Sequence, residues 1–262
     1  MSRFFTYPSQ LAVAALLLVC TLHTSASEAP NTRLSLAGIN HLNFSGDVKV
    51  TLTQSDENSA HVFIDKGKLE NVDIEQEGDS LWIGNSGRGF WSWFKADKSS
   101  EVRINIKISS LKGIDASGSV DITAHNMSTD QLTIDLSGAS QLTAHVVEAQ
   151  HVSLDLSGAS TLTLAEIKSH ALSADVSGAS RVHITDGGNL ATQTLDVSGA
   201  SHFNSAAVMA KIVKADVSGA SHSKVTASQE LSANVSGASS LAYNGDPKLQ
   251  VNTSGASSIN KL

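Results

Sequence analysis

Eight glycines recur down the second half of the 262-residue chain, at Gly118, Gly138, Gly158, Gly178, Gly199, Gly219, Gly237 and Gly255, separated by 20, 20, 20, 21, 20, 18 and 18 residues. A period of this size commits a chain to a repeat architecture, because one unit is too small to bury its own apolar face and must stack on its neighbours. Serine precedes every glycine (Ser117, Ser137, Ser157, Ser177, Ser198, Ser218, Ser236, Ser254), and alanine then serine follow in seven of the eight copies, the first reading Ser119-Val120 instead. Upstream of each glycine the apolar residues alternate, as in Leu132, Ile134 and Leu136, and downstream they alternate again, as in Leu162 and Leu164 or Val182 and Ile184. That is the two-residue period of half-buried strands, and the three-and-four spacing of a helix is missing. Each period therefore reads strand, corner, strand, return. Glycine supplies positive φ at the corner, and the alanine after it is expected to point inward where two faces converge. Stacked at the inter-strand spacing, eight such coils make a rod of about 35 to 40 Å. The expected fold is all-β, a parallel β-solenoid with coils of about 20 residues.

Three residues before each glycine stands an acid or an amide: Asp115, Asp135, Asp155, Asp175, Asp196, Asp216, Asn234 and Asn252. Lying between inward positions, they are expected to form one outward column, each a strand spacing from the next. Like charges that close repel, so solvent, hydrogen bonds or bound cations must relieve the column.

Ahead of the repeats, residues 34–110 are β-rich but less regular. Val48, Val50 and Leu52 alternate, as do Val102, Ile104, Ile106 and Ile108, with turn signals at Asp65-Lys66-Gly67 and Glu77-Gly78-Asp79 between. "FSGDV" at 44–48 echoes "ASGSV" at 116–120, which suggests longer, irregular coils of the same rod. Residues 1–26 read as an export signal, with Arg3 near the start, an apolar run from Leu11 to Val19 and small residues at Thr24-Ser25-Ala26 for cleavage. The division is thus a signal peptide over 1–26, an irregular part over 34–110 and regular coils over 111–262.

Cutting after Ala26 leaves 17 basic against 25 acidic residues, a net charge of -8, which argues against nucleic acid as the electrostatic partner. Cys20 is the single cysteine and lies in the apolar run. A disulfide, a thiol nucleophile and a cysteine metal site are therefore not expected in the exported chain.

The combination of "FSGDVKVTLTQSDENSAHVFIDK", "DSLWI" and "VRINIKISSLKGIDASGSVDI", followed by reiterated "DLSGAS", resembles the head GIN domain family of bacterial envelope proteins named as auto-transporter adhesins. The resemblance covers about residues 36–262. It implies an exported β-helical protein, coiled right-handedly, in the periplasm or at the cell surface of a Gram-negative bacterium, and it supplies no catalytic residues.

A serine nucleophile needs a base and an oxyanion hole built around one particular residue, and a feature repeated eight times singles none out. No catalytic residue, cofactor or metal site is assigned. Outward Asp with neighbouring hydroxyls offers hard oxygen ligands, so Asp115, Asp135, Asp155, Asp175, Asp196 and Asp216 are candidates for weak cation binding. His125 with His145, and His202 with His222, occupy matching coil positions; imidazole pairs on adjacent rungs suit zinc or copper, but third and fourth ligands are lacking and stacked surface histidines explain the same letters. The segment "GNSGRGFWSWFKADK" at 84–98 gathers Phe90, Trp91, Trp93 and Phe94 within five residues. It reads either as a cap over an open end of the solenoid or as an aromatic contact surface for a sugar, a lipid or a partner protein.

The function expected is non-enzymatic binding or adhesion at the cell envelope. Its partner would be an envelope polysaccharide or a surface protein, and open solenoid edges would allow homo-oligomers. The alternative is a carbohydrate-active β-helix enzyme acting on an envelope or extracellular polysaccharide. That would need carboxylates or basic residues breaking the ladder on one face, and the coils are uniform.

Overall fold

The computed structural model describes residues 31–66, 72–84 and 101–262. The export segment, Cys20 and the four aromatic residues Phe90, Trp91, Trp93 and Phe94 lie outside the described residues. The strands in chain order are β1 (Asn31–Ser35), β2 (His41–Gln54), β3 (Ser59–Lys66), β4 (Asp73–Glu77), β5 (Ser80–Gly84), β6 (Glu101–Ile108) and β7 (Gly113–Leu136). They continue as β8 (Gln141–Leu156), β9 (Thr161–Val176), β10 (Arg181–Val197), β11 (His202–Val217), β12 (His222–Val235), β13 (Ser240–Asn244), β14 (Lys248–Thr253) and β15 (Ser258–Lys261).

From β2 onward every inter-coil pairing is parallel, in the order β2-β7-β8-β9-β10-β11-β12, with β13 and β14 on β12 and β15 on β13. The chain is a parallel β-solenoid. Alternation produces it directly: Leu132, Ile134 and Leu136 are buried, their partners Val152, Leu154 and Leu156 are buried above them, and the residues between face solvent or the surface. The inward stack runs the length of the rod as one core, from Leu42 and Phe44 in β2 to Leu241 in β13.

The corner is the most repetitive element. Gly138, Gly158, Gly178, Gly199, Gly219, Gly237 and Gly255 have φ between 71° and 77°. In each of these coils the alanine N–H donates to the carbonyl of the preceding coil's glycine, at 2.7 Å from Ala139 through Ala238 and 2.8 Å at Ala256. A side chain at Gly178 would bring a Cβ within 2.5 Å of the Gly158 carbonyl oxygen. Glycine is thus required twice, by the torsion angle and by the close backbone stacking.

One expectation is overturned at this corner. The alanines are exposed, and the serine after each of them is the inward residue: Ser140 1%, Ser160 0%, Ser180 0%, Ser201 0%, Ser221 0% and Ser239 2% exposed. Counting from the glycine, position +1 continues the outward turn and +2 starts the next strand's inward alternation, where β2 and β7 carry Val48 and Val120. A small polar residue fits there because its hydroxyl can reach corner carbonyls, as Ser160 does to Ser157 O at 2.8 Å.

Departures from the 20-residue period are absorbed away from the corner. The 21-residue coil has a register shift between Ile184 and Gly187 in β10, and the first 18-residue coil has shifts between β11 and β12 around Asn204 to Ile212, while Val197, Val217 and Val235 stay aligned.

The echo between "FSGDV" and "ASGSV" is a true register match, Gly46 pairing with Gly118. Beyond β2, however, the chain does not run on as irregular coils alone. β5 and β6 lie parallel on the two halves of β2, then β4 pairs antiparallel with β5, β3 antiparallel with β6, and β1 antiparallel with β3. Short connections reverse the chain at this end, residues 55–58 between β2 and β3 and the Gly78-Asp79 turn of the β4–β5 hairpin, whereas a parallel rung needs a full coil.

Candidate functional site

The face leading into the corner is the most ordered surface of the molecule. Its outermost column is Asn43, Asp115, Asp135, Asp155, Asp175, Asp196, Asp216, Asn234 and Asn252, paired rung to rung without a break. Beside it runs a hydroxyl column in which Thr133, Ser153, Ser173 and Thr194 are aligned. The amides at the ends tie themselves in: Asn43 Nδ2 donates to Leu81 O at 3.3 Å, Asn234 Nδ2 to Asp216 Oδ1 at 2.6 Å, and Asn252 Nδ2 to Asn234 Oδ1 at 3.0 Å. Of the six aspartates between, Asp216 takes this bond, and the rungs paired with Asp115, Asp135, Asp155 and Asp175 carry only carboxylates or, for Asp115, the Asn43 amide already turned to Leu81. Burial raises the Asp115 carboxyl above the ordinary carboxylate range. Burial also raises Asp135 and Asp155, and in each the preceding aspartate's charge adds to it; Asp196 is raised by burial, then by Asp175 and Asp216.

The column is linear rather than convergent, and among the described residues no three His, Cys, Asp or Glu side chains gather as a metal would require. The corner serines are engaged locally: Ser137 Oγ donates to Ala116 O at 3.5 Å and Ser177 Oγ to Leu156 O at 3.4 Å. His202 and His222 stack with ring centroids 5.2 Å apart and planes 11° apart. His145 Nδ1 stands 3.2 Å from Asn126 Oδ1, on the strand before it.

A second surface was not singled out from the sequence. At the bend furthest from the glycine corner, an open cleft of about 530 Å³ crosses successive coils and is lined by Lys112, Asp130, Glu148, Gln150, Lys168 and His170 among others. Its signal was present: Ser128, Glu148 and Lys168 share one register position, and Asp130, Gln150 and His170 stand at one offset from their glycines. The eye is drawn to repeats that keep their letters, and this column changes letter at every coil.

The aromatic segment is anchored at a defined place. Gly84 pairs with Ser45 and Val102 with Val48, so the end of β5 and the start of β6 stand on either side of the Ser45-Gly46 corner of β2.

The family model described as "Putative auto-transporter adhesin, head GIN domain" matches residues 39–247. A crystal structure of a "putative adhesin" from Parabacteroides merdae superimposes with a TM-score of 0.79 at 17% identity, covering 90% of this chain and 97% of that one. A "putative adhesin" from Parabacteroides distasonis gives 0.76 at 17% identity, with 90% and 98% covered. A "Putative lipid binding protein" from the same species gives 0.73 at 19% identity, again with 90% and 98% covered. No curated protein matches. At these identities the structures share the fold with this chain, while the family match spans most of its length; the chain belongs to the head GIN domain family.

Proposed function

We propose that the chain is an exported, non-enzymatic binding module of a Gram-negative envelope, in the periplasm or at the cell surface. Its proposed partner is an extended polymer, an envelope polysaccharide first and a surface protein second. The observation that carries this is a face on which an Asp column runs over six rungs with a Ser/Thr column beside it on four of them, Thr133 to Thr194, before Lys214 takes that position, all held in register by parallel pairing. A rigid surface that repeats one chemistry at each strand spacing suits a ligand that also repeats. Catalysis instead needs one place unlike the others. The names of the similar proteins, adhesin in two and lipid binding in one, fit a binding role. The aromatic residues Phe90, Trp91, Trp93 and Phe94 are a second proposed contact, since aromatic rings suit sugar faces and apolar partners.

Co-sedimentation of the protein with separated peptidoglycan, surface-polysaccharide and lipid fractions tests the proposal. Binding to a polysaccharide fraction is expected, with loss in a Ser153→Lys/Ser173→Lys variant if the ladder face is the contact and loss in Trp91→Ala/Trp93→Ala if the aromatic segment is. Release of new sugar ends during incubation, or no binding to any envelope fraction, would overturn it.

A further inference from the structure

The two ends of the rod are finished differently. At the first end the outermost strand on the face leading into the corner is β4, which runs antiparallel and exposes Asp73, Glu75 and Glu77. The outermost strand on the face leaving the corner is β1, also antiparallel, with Arg33 held by Glu57 at 2.9 Å. Charged, reversed edge strands are how natural sheets prevent another sheet from adding on.

The other end has little of this protection. β14 pairs only with β12 and β15 only with β13, so among the described residues nothing lies against their outer edges. Both strands pair without a bulge and neither carries a carboxylate, and the one lysine of each, Lys248 and Lys261, stands at a strand end. The inward column surfaces here: Leu249 is 43% and Val251 39% exposed, directly above Leu231 at 0% and Ala233 at 1%. Leu249, Val251 and Leu262 are three of the four large apolar residues exposed among the described residues. On the outward column the charge has already stopped, Asn234 and Asn252 standing where the six preceding rungs carry Asp. Lys261 turns its ammonium aside to Asp246 at the neighbouring bend.

We propose that this edge is a homodimer interface, in which β14 of one copy pairs antiparallel with β15 of a second copy, and reciprocally. Three features select that arrangement. β14 leads into the Gly255 corner and β15 leads out of it, so a two-fold axis through the corner lays one over the other in opposite directions, as an isologous contact requires. β15 stands half a coil beyond β14, and only the β14-to-β15 match lets the two steps fill each other. Setting inward positions opposite inward positions brings Val251 across from Ile259 of the second copy, Leu249 across from the stem of its Lys261, and the neutral Gln250 and Asn252 across from its Asn260 and Ser258. Head-to-tail stacking would instead press this edge against the acidic, antiparallel β4. The assembly closes at two.

Sedimentation velocity of the full chain over a range of concentrations is expected to show a reversible one-copy to two-copy equilibrium. Val251→Lys is expected to weaken it about tenfold or more, with the circular dichroism spectrum unchanged because the position is already exposed. Hydrogen exchange, which needs no variant, is expected to show the amides of residues 248–253 and 258–261 gaining protection with concentration while those of β4 do not. One copy at every concentration would overturn the proposal, including the case in which another segment of the same chain protects the edge. So would a dimer indifferent to Val251→Lys, or assemblies larger than two.

Discussion

The corner glycine and the serine two positions later carry opposite kinds of constraint. At Gly178 any side chain would have to occupy φ of 75° and meet a backbone oxygen that cannot move aside without disturbing the rung below. Gly178→Ala is expected to cost about 2–4 kcal/mol, the sum of torsional strain and overpacking, measurable by denaturant unfolding. The inward serines are not equivalent to one another. Ser160 Oγ donates to Ser157 O, whereas Ser180 Oγ is buried without a partner. Ser160→Ala is expected to lose about 1 kcal/mol, and Ser180→Ala to be neutral or stabilising, because an unsatisfied buried hydroxyl costs what its removal returns. Equal losses at the two positions would show that the hydroxyl bonds do not set the difference. A third residue breaks the pattern of the core: Gln193 is fully buried in a column where Leu172 and Val213 are its neighbours, its Nε2 donating to Ser205 Oγ at 2.8 Å and its Oε1 unpartnered.

At the scale of elements, the rod and its closed end should respond oppositely to acid. Asp115, Asp135, Asp155 and Asp196 have folded-state pKa values above their ordinary ones, so the native state holds more protons than the unfolded chain across that window. Stability from the column therefore falls as pH rises through it and is recovered on acidification. Glu57, by contrast, is lowered, first by its hydrogen bond from Lys107 and then by that from Ser59, and it joins β1, β3 and β6 at the closed end. Its contribution is present above the ordinary glutamate value and lost as pH falls through its lowered one. Asp155→Asn is expected to raise the melting temperature at pH 7, and the gain should vanish near pH 3. A gain that persists there would mean the column is not the cause. Hydrogen exchange at the lower pH should show β1 and β3 opening before β8 and β9.

Over the whole molecule, what could be read in advance divides along the same line. The regular coils were legible because alternation, a fixed glycine and a repeated period all point to one answer, and a one-residue slip would expose the entire inward column. The inward serine was misassigned because alanine is the more apolar of the two letters. Which one faces in depends on how many residues the corner consumes, and the hydrophobic pattern does not reveal that. The antiparallel closure by β1, β3 and β4 was obscured because strands of either direction alternate alike; direction is set by the connections, and reversing and coil connections look alike when both are polar. The mixed-charge cleft was hidden because it repeats in position but not in residue type.

The corner ladder also makes the rod a directional mechanical element. Each alanine N–H points back to the coil before it, so the bonds holding one rung to the next lie along the rod and not across it. A load applied between the two ends pulls these bonds open lengthwise, starting at an outer rung, and cannot engage them all together in shear. Each 20-residue coil that peels away pays out about 65 Å of chain. Under tension the molecule would lengthen in steps at nearly constant force, turning a stiff spacer of about 40 Å into a tether many times longer before its far end lets go.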